Sequence, residues 1–172
     1  MAKVVTMGEI MLRLSSPGYQ RFAQASEFEI NYGGAEANVA VSLAQLGHDV
    51  TYISKIPSNA IGEAAIATLK KTGVDCRYIA RGGKRLGVYF LENGASVRPS
   101  NVVYDRADSS ITQASAEEFD FDQIFDGVCV LSAQRSACHL PIPSRFFFTF
   151  PFSFNSSTAH MLIRGFHTLF SR

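Results

Sequence analysis

The chain of 172 residues contains no tryptophan and only three cysteines, so it lacks the composition of a disulfide-stabilised domain. Cys76, Cys129 and Cys138 are odd in number and do not have metal-ligand spacing, so we expect a reducing, cytoplasmic environment. Glu9 and Arg13 interrupt the first apolar stretch, which argues against a secretory signal peptide. No uninterrupted apolar run reaches about 18 residues, so we expect no membrane contact.

Charge of either sign is not in excess. The 16 basic and 15 acidic residues leave a net charge of +1, which gives no reason to expect a nucleic-acid partner. A hydrophobic content of 47% is sufficient for a buried core. The length favours one domain, or one domain and part of another.

No Asp or Glu occurs after Val128, and all 15 acidic residues lie before it. The same C-terminal stretch holds eight of the 14 phenylalanines and three of the four histidines. We therefore divide the chain into residues 1–127 and an atypical tail of residues 128–172. We expect the tail to be disordered or the product of a reading-frame change, and a genuine, selected tail is the alternative.

Hydrophobic patterning in residues 1–127 predicts alternating strands and helices. We predict core strands over residues 3–14 and 48–56, a helix over 36–46, and a second helix that follows Asn59-Ala60-Ile61-Gly62 and runs through Leu69-Lys70-Lys71. This order is typical of an α/β fold with a parallel sheet. Short strands over 77–80, 86–91 and 102–104 predict a small separate sheet, such as a lid. Ser115 and Glu118 have the spacing of a capping box, and a further strand is predicted over 128–131.

The glycine pair Gly33-Gly34 stands directly before the first predicted helix. Paired glycines allow a ligand to approach the backbone beside the unpaired N–H groups of a helix N-terminus. Asn38, in the first helical turn, can both donate and accept hydrogen bonds. These features suit a polyhydroxylated or anionic small molecule, and a tight turn without any ligand is the alternative.

An ordered set of motifs carries a family resemblance. It comprises Gly8-Glu9, the stretch from Gly33-Gly34 to Asn38, and Asn59-Ala60-Ile61-Gly62, followed by Arg85 to Glu92 and Val97-Arg98-Pro99-Ser100. With these motifs the chain resembles the ribokinase-like (PfkB) carbohydrate kinases. Within that family it is most similar to the 2-keto-3-deoxygluconate kinases, over residues 1 to about 127.

The resemblance implies a ribokinase-like, Rossmann-type layered α/β sheet with a small β lid, whose strands lie within about 15–32 and 77–106. It also implies ATP-dependent phosphorylation of a sugar acid at a primary hydroxyl. Gly33, Gly34 and Asn38 would contact substrate hydroxyls, and Tyr89 would cover the sugar. Tyr104 and Arg106 would meet its polar groups, with Arg106 the natural partner of a carboxylate. A homodimer through the lid is a further expectation.

Each of these roles has a structural alternative. Tyr89 and Tyr104 could only pack the lid, and Arg106 could form a surface ion pair with Asp105 or Asp108. Asn59 could only start a helix. Glu9 stands where many relatives place a polar group near the substrate, and both possibilities remain open for it.

The resemblance also implies what this chain lacks. In the family the catalytic base is an aspartate on a Gly-Ala-Gly-Asp-like turn of the C-terminal half, which also serves ATP and Mg²⁺. No such motif occurs in the 172 residues. We therefore expect the C-terminal half, the catalytic residues and the cofactor and metal sites to be missing, and the chain to be inactive alone. The alternative function is a non-catalytic module that binds a sugar acid or dimerises through the lid.

Overall fold

The computed structural model describes residues 3–128 and 130–133. Its strands are β1 Lys3–Met7, β2 Met11–Ser15, β3 Glu29–Gly33, β4 Asp49–Ile53, β5 Lys55–Ile56, β6 Ala80–Arg81, β7 Val88–Glu92, β8 Asn101–Asp105 and β9 Val130–Ala133. Its helices are α1 Ala35–Gln45, α2 Ala60–Lys70 and α3 Phe121–Ile124, with 3₁₀ turns at Ser110–Gln113 and Ala116–Glu118. The expectations for the tail beyond residue 133 lie outside the described residues.

A parallel sheet of strand order β4-β1-β9 forms the centre of the molecule. Neighbouring residues of β1 face opposite sides, so Val4 belongs to one buried cluster and Val5 to another. The cluster around Val4 includes side chains of α1 and α2, and the cluster around Val5 includes Ile111, Phe119 and Ile124. The predicted α/β class with a parallel sheet is therefore confirmed.

A second sheet, here called the small sheet, has the strand order β3-β2-β7-β8. Strand β2 pairs antiparallel with β3 and parallel with β7, and β7 pairs antiparallel with β8. The short strands predicted near residues 86–91 and 102–104 are present as β7 and β8. The strand predicted over 77–80 is wrong, because β6 covers only Ala80–Arg81 and pairs with β5 outside the small sheet. Its role as a lid stays a prediction.

The prediction of one strand over residues 3–14 is wrong. The chain leaves the central sheet at Gly8, whose N–H donates to the Ile53 carbonyl at 3.2 Å, and enters the small sheet at Met11. The buried Tyr52 hydroxyl donates to the Gly8 carbonyl at 2.8 Å and fixes this crossing point. Both halves of the segment are apolar, so hydrophobic patterning cannot show that they belong to different sheets.

The two faces of the small sheet differ in chemistry. Residues paired directly across its strands share a face. One row, here called the polar face, contains Asn31, Arg13, Tyr89 and Tyr104 in order across the sheet. The next row lies on the opposite, apolar face, and it contains Ile30, Leu14, Phe90 and Val103.

Local sequence signals explain where the helices begin. Asn59 caps α2, because its side-chain oxygen accepts a hydrogen bond from the Gly62 N–H at 2.9 Å. Glu118 accepts a hydrogen bond from the Ser115 N–H at 2.9 Å, as the capping box predicts.

Helices α1 and α2 have eleven residues each, and no helix in the described ranges is long and apolar enough to cross a membrane.

Candidate functional site

The glycine pair joins the small sheet to α1. Gly33 ends β3, and Gly34 caps α1 with extended backbone angles that any residue can adopt. A Cβ atom on Gly34 would lie 1.9 Å from the Glu9 carbonyl oxygen, so glycine is required there by close packing. A Cβ atom on Gly33 would lie 3.2 Å from the Asn38 Oδ1, which is the end of a flexible side chain.

Glu9 lies in the connection of residues 8–10 between the two sheets, here called the crossover, and is only 2% exposed. Its carboxylate is ion-paired with the Arg106 guanidinium, immediately after β8. A Cβ atom on Gly87 would lie 2.4 Å from Glu9 Oε1 and 3.2 Å from the Arg106 Cβ. The crossover, the start of β7 and the end of β8 therefore meet around this ion pair, beside Gly34.

Tyr89 and Tyr104 form an aromatic pair on the polar face. They are directly paired across β7 and β8, their ring centroids are 5.7 Å apart, and their planes are tilted by 33°. Tyr89 is half-buried and Tyr104 is exposed. Such a pair presents ring surface and hydroxyl groups to a ligand above the sheet.

Asn38 lies apart from this aromatic pair. Its side chain is exposed on α1 at a groove of about 350 Å³ between α1 and α2. The groove is lined by Tyr32, Gly33, Ala37, Asn38, Val41, Ser42, Thr68, Leu69 and Thr72. Tyr89, Tyr104 and Arg106 do not line it. Arg106 and the tyrosine pair thus lie at the small sheet, whereas Asn38 lies in the separate groove, which Tyr32 and Gly33 of β3 also line.

Buried acids surround the start of α1. Burial raises the pKa of the Glu36 carboxyl, and its Oε2 has no hydrogen-bond partner in the described part of the chain. Burial also raises the pKa of Tyr52 far above its ordinary value, with smaller contributions from Glu36 and Glu9. Carboxyl groups beside this helix N-terminus disfavour a phosphate there, although a helix N-terminus usually attracts one.

Metal-binding side chains do not cluster in the described residues. No group of three or more His, Cys, Asp or Glu side chains among residues 3–128 could hold a metal ion. Gly34 packs against the backbone carbonyl of Glu9, and Gly33 lies beside the amide oxygen of Asn38.

The alternative in which Arg106 pairs with Asp105 or Asp108 is wrong, because its carboxylate partner is Glu9. Asp105 instead pairs with Arg85, whose Nη1 lies 2.9 Å from its Oδ1. This hydrogen bond lowers the pKa of the Asp105 carboxyl and raises the pKa of the Arg85 guanidinium.

From the sequence alone, it stayed open whether Glu9 belongs to the substrate site, and Arg13 was assigned no role. A carboxylate within a largely apolar stretch was the available sequence signal for Glu9. For Arg13 the signal was a charge in the middle of an apolar strand.

Comparison with known proteins places the chain among sugar kinases. The model of the pfkB family carbohydrate kinases matches residues 1–138, which is eleven residues beyond the boundary expected from the sequence. The 2-dehydro-3-deoxygalactonokinase of Haloferax volcanii is 38% identical over 125 residues, covering 73% of this chain and 39% of that protein.

Solved structures agree with this placement. The 2-dehydro-3-deoxygluconokinase of Thermotoga maritima superposes with a TM-score of 0.76 at 55% identity, covering 77% of this chain and 41% of that one. A sugar kinase of Pyrococcus horikoshii, solved in complex with ATP, gives a TM-score of 0.66 at 28% identity, covering 76% and 42%. The chain thus spans about 40% of the length of these relatives.

Proposed function

The chain belongs to the pfkB family of carbohydrate kinases, and from this premise we propose that it binds a sugar acid, 2-keto-3-deoxygluconate or a close relative, as a kinase substrate. The observation that carries the proposal is the position of Arg106. Arg106 follows β8, two residues after Tyr104, and is ion-paired with buried Glu9, whose backbone packs against Gly34.

The guanidinium of Arg106 is suited to a carboxylate ligand. Its Nη2 donates to Glu9, and no described residue accepts from its other nitrogens. A guanidinium has five N–H donors in a fixed planar arrangement, so those that remain can bind a second carboxylate. The side chain is 35% exposed, which leaves it accessible to a small molecule.

The tyrosine pair and the backbone of the glycine pair supply complementary contacts. Sugar rings and chains present both C–H surfaces and hydroxyls, and Tyr89 and Tyr104 offer ring faces together with hydroxyl groups. The substrates named for the relatives from Haloferax volcanii and Thermotoga maritima are 2-dehydro-3-deoxy sugar acids. The tyrosine pair is suited to any sugar, and the substrates named for these relatives favour a sugar acid.

ATP with Mg²⁺ would supply the phosphoryl group for the reaction of this family. The described residues contain no group of three or more His, Cys, Asp or Glu side chains that could hold a metal ion, and the sequence lacks the Gly-Ala-Gly-Asp-like turn. We therefore propose that these 172 residues bind and orient the sugar acid and do not transfer phosphate. A cytoplasmic location agrees with the free, buried thiol of Cys76, whose pKa is raised to about 11 by burial.

A second candidate function is favoured by the apolar face of the small sheet. Ile30 and Val103 are 63% and 47% exposed there, beside an aromatic cluster of Phe22, Phe28 and Phe90. Exposed apolar surface of this kind is typical of an interface. We propose that a second copy of the chain covers this face, which would make the small sheet a dimerisation element as well as a wall of the ligand site.

Calorimetry with the 172-residue chain tests the proposed function. We expect saturable binding of 2-keto-3-deoxygluconate, and roughly tenfold or greater weakening in Arg106→Ala, consistent with the loss of a charge-assisted hydrogen bond. Arg77 is an exposed arginine that pairs with Asp75 and belongs to none of the motifs above, so Arg77→Ala is the matched control.

A coupled assay for ATP consumption completes the test. We expect no turnover with the wild-type chain at saturating sugar acid. Robust turnover would refute the inactive part of the proposal, and a folded wild-type chain that binds no sugar acid would refute the proposal as a whole.

A further inference from the structure

Arg13 occupies the middle of the polar face. It is the third residue of β2, and its direct neighbours are Asn31 on β3 and Tyr89 on β7. Tyr104 follows Tyr89 on the far side, so Arg13 stands in the same row as the tyrosine pair. Its side chain therefore lies on the face where the proposed ligand would bind.

The guanidinium of Arg13 has no counter-ion in the described part of the chain. Its Nε is buried without a hydrogen-bond partner, and none of the ion pairs involves it. Other arginines there do have carboxylate partners, namely Arg77, Arg81, Arg85, Arg98 and Arg106. Arg21 also lacks one, but it is exposed to solvent, whereas Arg13 is half-buried.

A half-buried, unpaired cation is costly, because burial removes solvating water and no opposite charge replaces it. Glu29 stands on the same face of β3, but it forms no ion pair with Arg13. Such a charge needs an explanation other than stability. A bound anion would supply the missing partner.

Arg106 is not an equivalent source of positive charge. The Glu9 carboxylate already offsets its charge, so the ion pair as a whole is neutral and contributes mainly directed hydrogen bonds. Arg13 contributes a charge that no described group offsets. At about 4.8 Å between neighbouring strands and about 3.3 Å per residue, Arg13 on β2 and Arg106, two residues beyond its row neighbour Tyr104, are roughly 12 Å apart across the sheet. Two long side chains on one face can reach a common small molecule across that span.

We infer that Arg13 is the residue that makes this site prefer an anionic ligand over a neutral one of the same shape. The inference rests on the proposed function and deepens it. Arg106 orients the ligand through hydrogen bonds, and Arg13 supplies the net positive charge that the carboxylate of a sugar acid meets.

The test compares 2-keto-3-deoxygluconate with its methyl ester, which keeps the shape and removes the charge. Affinities of both are measured by calorimetry for the wild-type chain, Arg13→Gln, Arg13→Lys and Arg106→Gln, with Arg21→Gln as the matched control. We expect Arg13→Gln to weaken the acid about tenfold or more and to leave the ester within twofold, so that the preference for the acid falls. Arg13→Lys should retain most of the preference, and Arg106→Gln should weaken both ligands.

A structural role for Arg13 makes a different prediction. Removal of a structurally required residue would lower the thermal midpoint of the ligand-free chain, whereas removal of an unpaired charge should leave that midpoint unchanged or raise it. If the wild-type chain binds the acid and Arg13→Gln binds it equally well, the inference is overturned while the proposed function stands. If the folded wild-type chain binds neither compound, both fail.

Discussion

The buried carboxylate of Glu9 is ion-paired with the guanidinium of Arg106, which lies 97 residues further along the chain. Glu9 belongs to the crossover that connects the central sheet with the small sheet. Arg106 follows the last strand of the small sheet. The pair therefore fixes the small sheet against the central sheet and gives the proposed carboxylate contact its position before any ligand arrives.

Replacement of Glu9 by alanine should disturb both stability and ligand binding. Loss of one partner of a buried ion pair leaves the other charge uncompensated, which costs about 3–5 kcal/mol for fully buried pairs. Because Arg106 is partly exposed, we expect a smaller loss of about 2 kcal/mol in the free energy of unfolding, measured by urea denaturation. Glu117→Ala, at an exposed position, is the control. An unchanged unfolding midpoint for Glu9→Ala would contradict this reading of the pair.

The two neighbouring glycines should respond differently to alanine. In Gly34→Ala the new Cβ would lie 1.9 Å from the backbone oxygen of Glu9, so we expect roughly 3 kcal/mol or more of destabilisation. In Gly33→Ala the new Cβ would lie 3.2 Å from Asn38 Oδ1, and that side chain can rotate away. We expect this variant to fold, with less than about 1 kcal/mol lost. Urea denaturation of both variants measures the two losses in the free energy of unfolding. Equal losses would argue against a steric role for Gly34.

Much of the fold follows from local patterns in the sequence. The capping residue Asn59, the Ser115–Glu118 contact and the positions of α1 and α2 all depend on interactions within a few residues. The division of residues 3–15 between two sheets depends instead on Gly8, Tyr52 and Gly87, which are distant in sequence. Hydrophobic periodicity within one segment does not reveal contacts with distant residues, so the prediction of a single strand over residues 3–14 failed.

In the candidate site, too, some features could be predicted from the sequence and others depend on contacts between distant residues. The tyrosine pair and Arg106 could be named because their motifs resemble a known family, but their roles as ligand contacts remain predictions. The partner of Arg106 could not be read from the sequence, since Asp105 and Asp108 were nearer along the chain than Glu9. Arg13 was visible only as a charge within an apolar strand, because its missing counter-ion is a property of the assembled sheet.

The hydrogen bond from the Tyr52 hydroxyl to the Gly8 carbonyl should be measurable in isolation. Tyr52→Phe removes the donor and leaves a buried carbonyl without its partner, which costs about 1–3 kcal/mol. The ring itself remains packed, so the secondary structure should be retained in circular dichroism. Tyr78→Phe, whose hydroxyl donates no hydrogen bond to a described residue, provides the matched control. A Tyr52→Phe variant as stable as the wild type would show that this bond does not hold the crossover.

A homodimer through the apolar face predicts a specific effect of charge. Ile30→Lys places an ammonium group in the middle of the proposed interface, where burial of an unpaired charge is unfavourable. We expect the wild-type chain to be dimeric in light scattering after size exclusion, and Ile30→Lys to be monomeric. Val97 is 98% exposed in the loop before β8, so Val97→Lys should leave the dimer intact. A monomeric wild type, or a dimeric Ile30→Lys, would refute an interface on this face.

The buried carboxyl of Glu36 predicts how stability depends on pH. Burial raises its pKa in the folded chain above the value in the unfolded chain, so the folded state holds its proton more tightly. The resulting stabilisation is complete below the unfolded pKa and is lost as pH rises through the raised, folded pKa. Glu36→Gln removes this titration, because glutamine is neutral throughout. We therefore expect the variant to unfold at higher urea concentration than the wild type at neutral pH, and the advantage to disappear at acidic pH. Glu27→Gln, at an exposed position, should give no such pH-dependent difference. A Glu36→Gln variant that is less stable than the wild type at neutral pH would show instead that the ionised carboxylate is required at the start of α1.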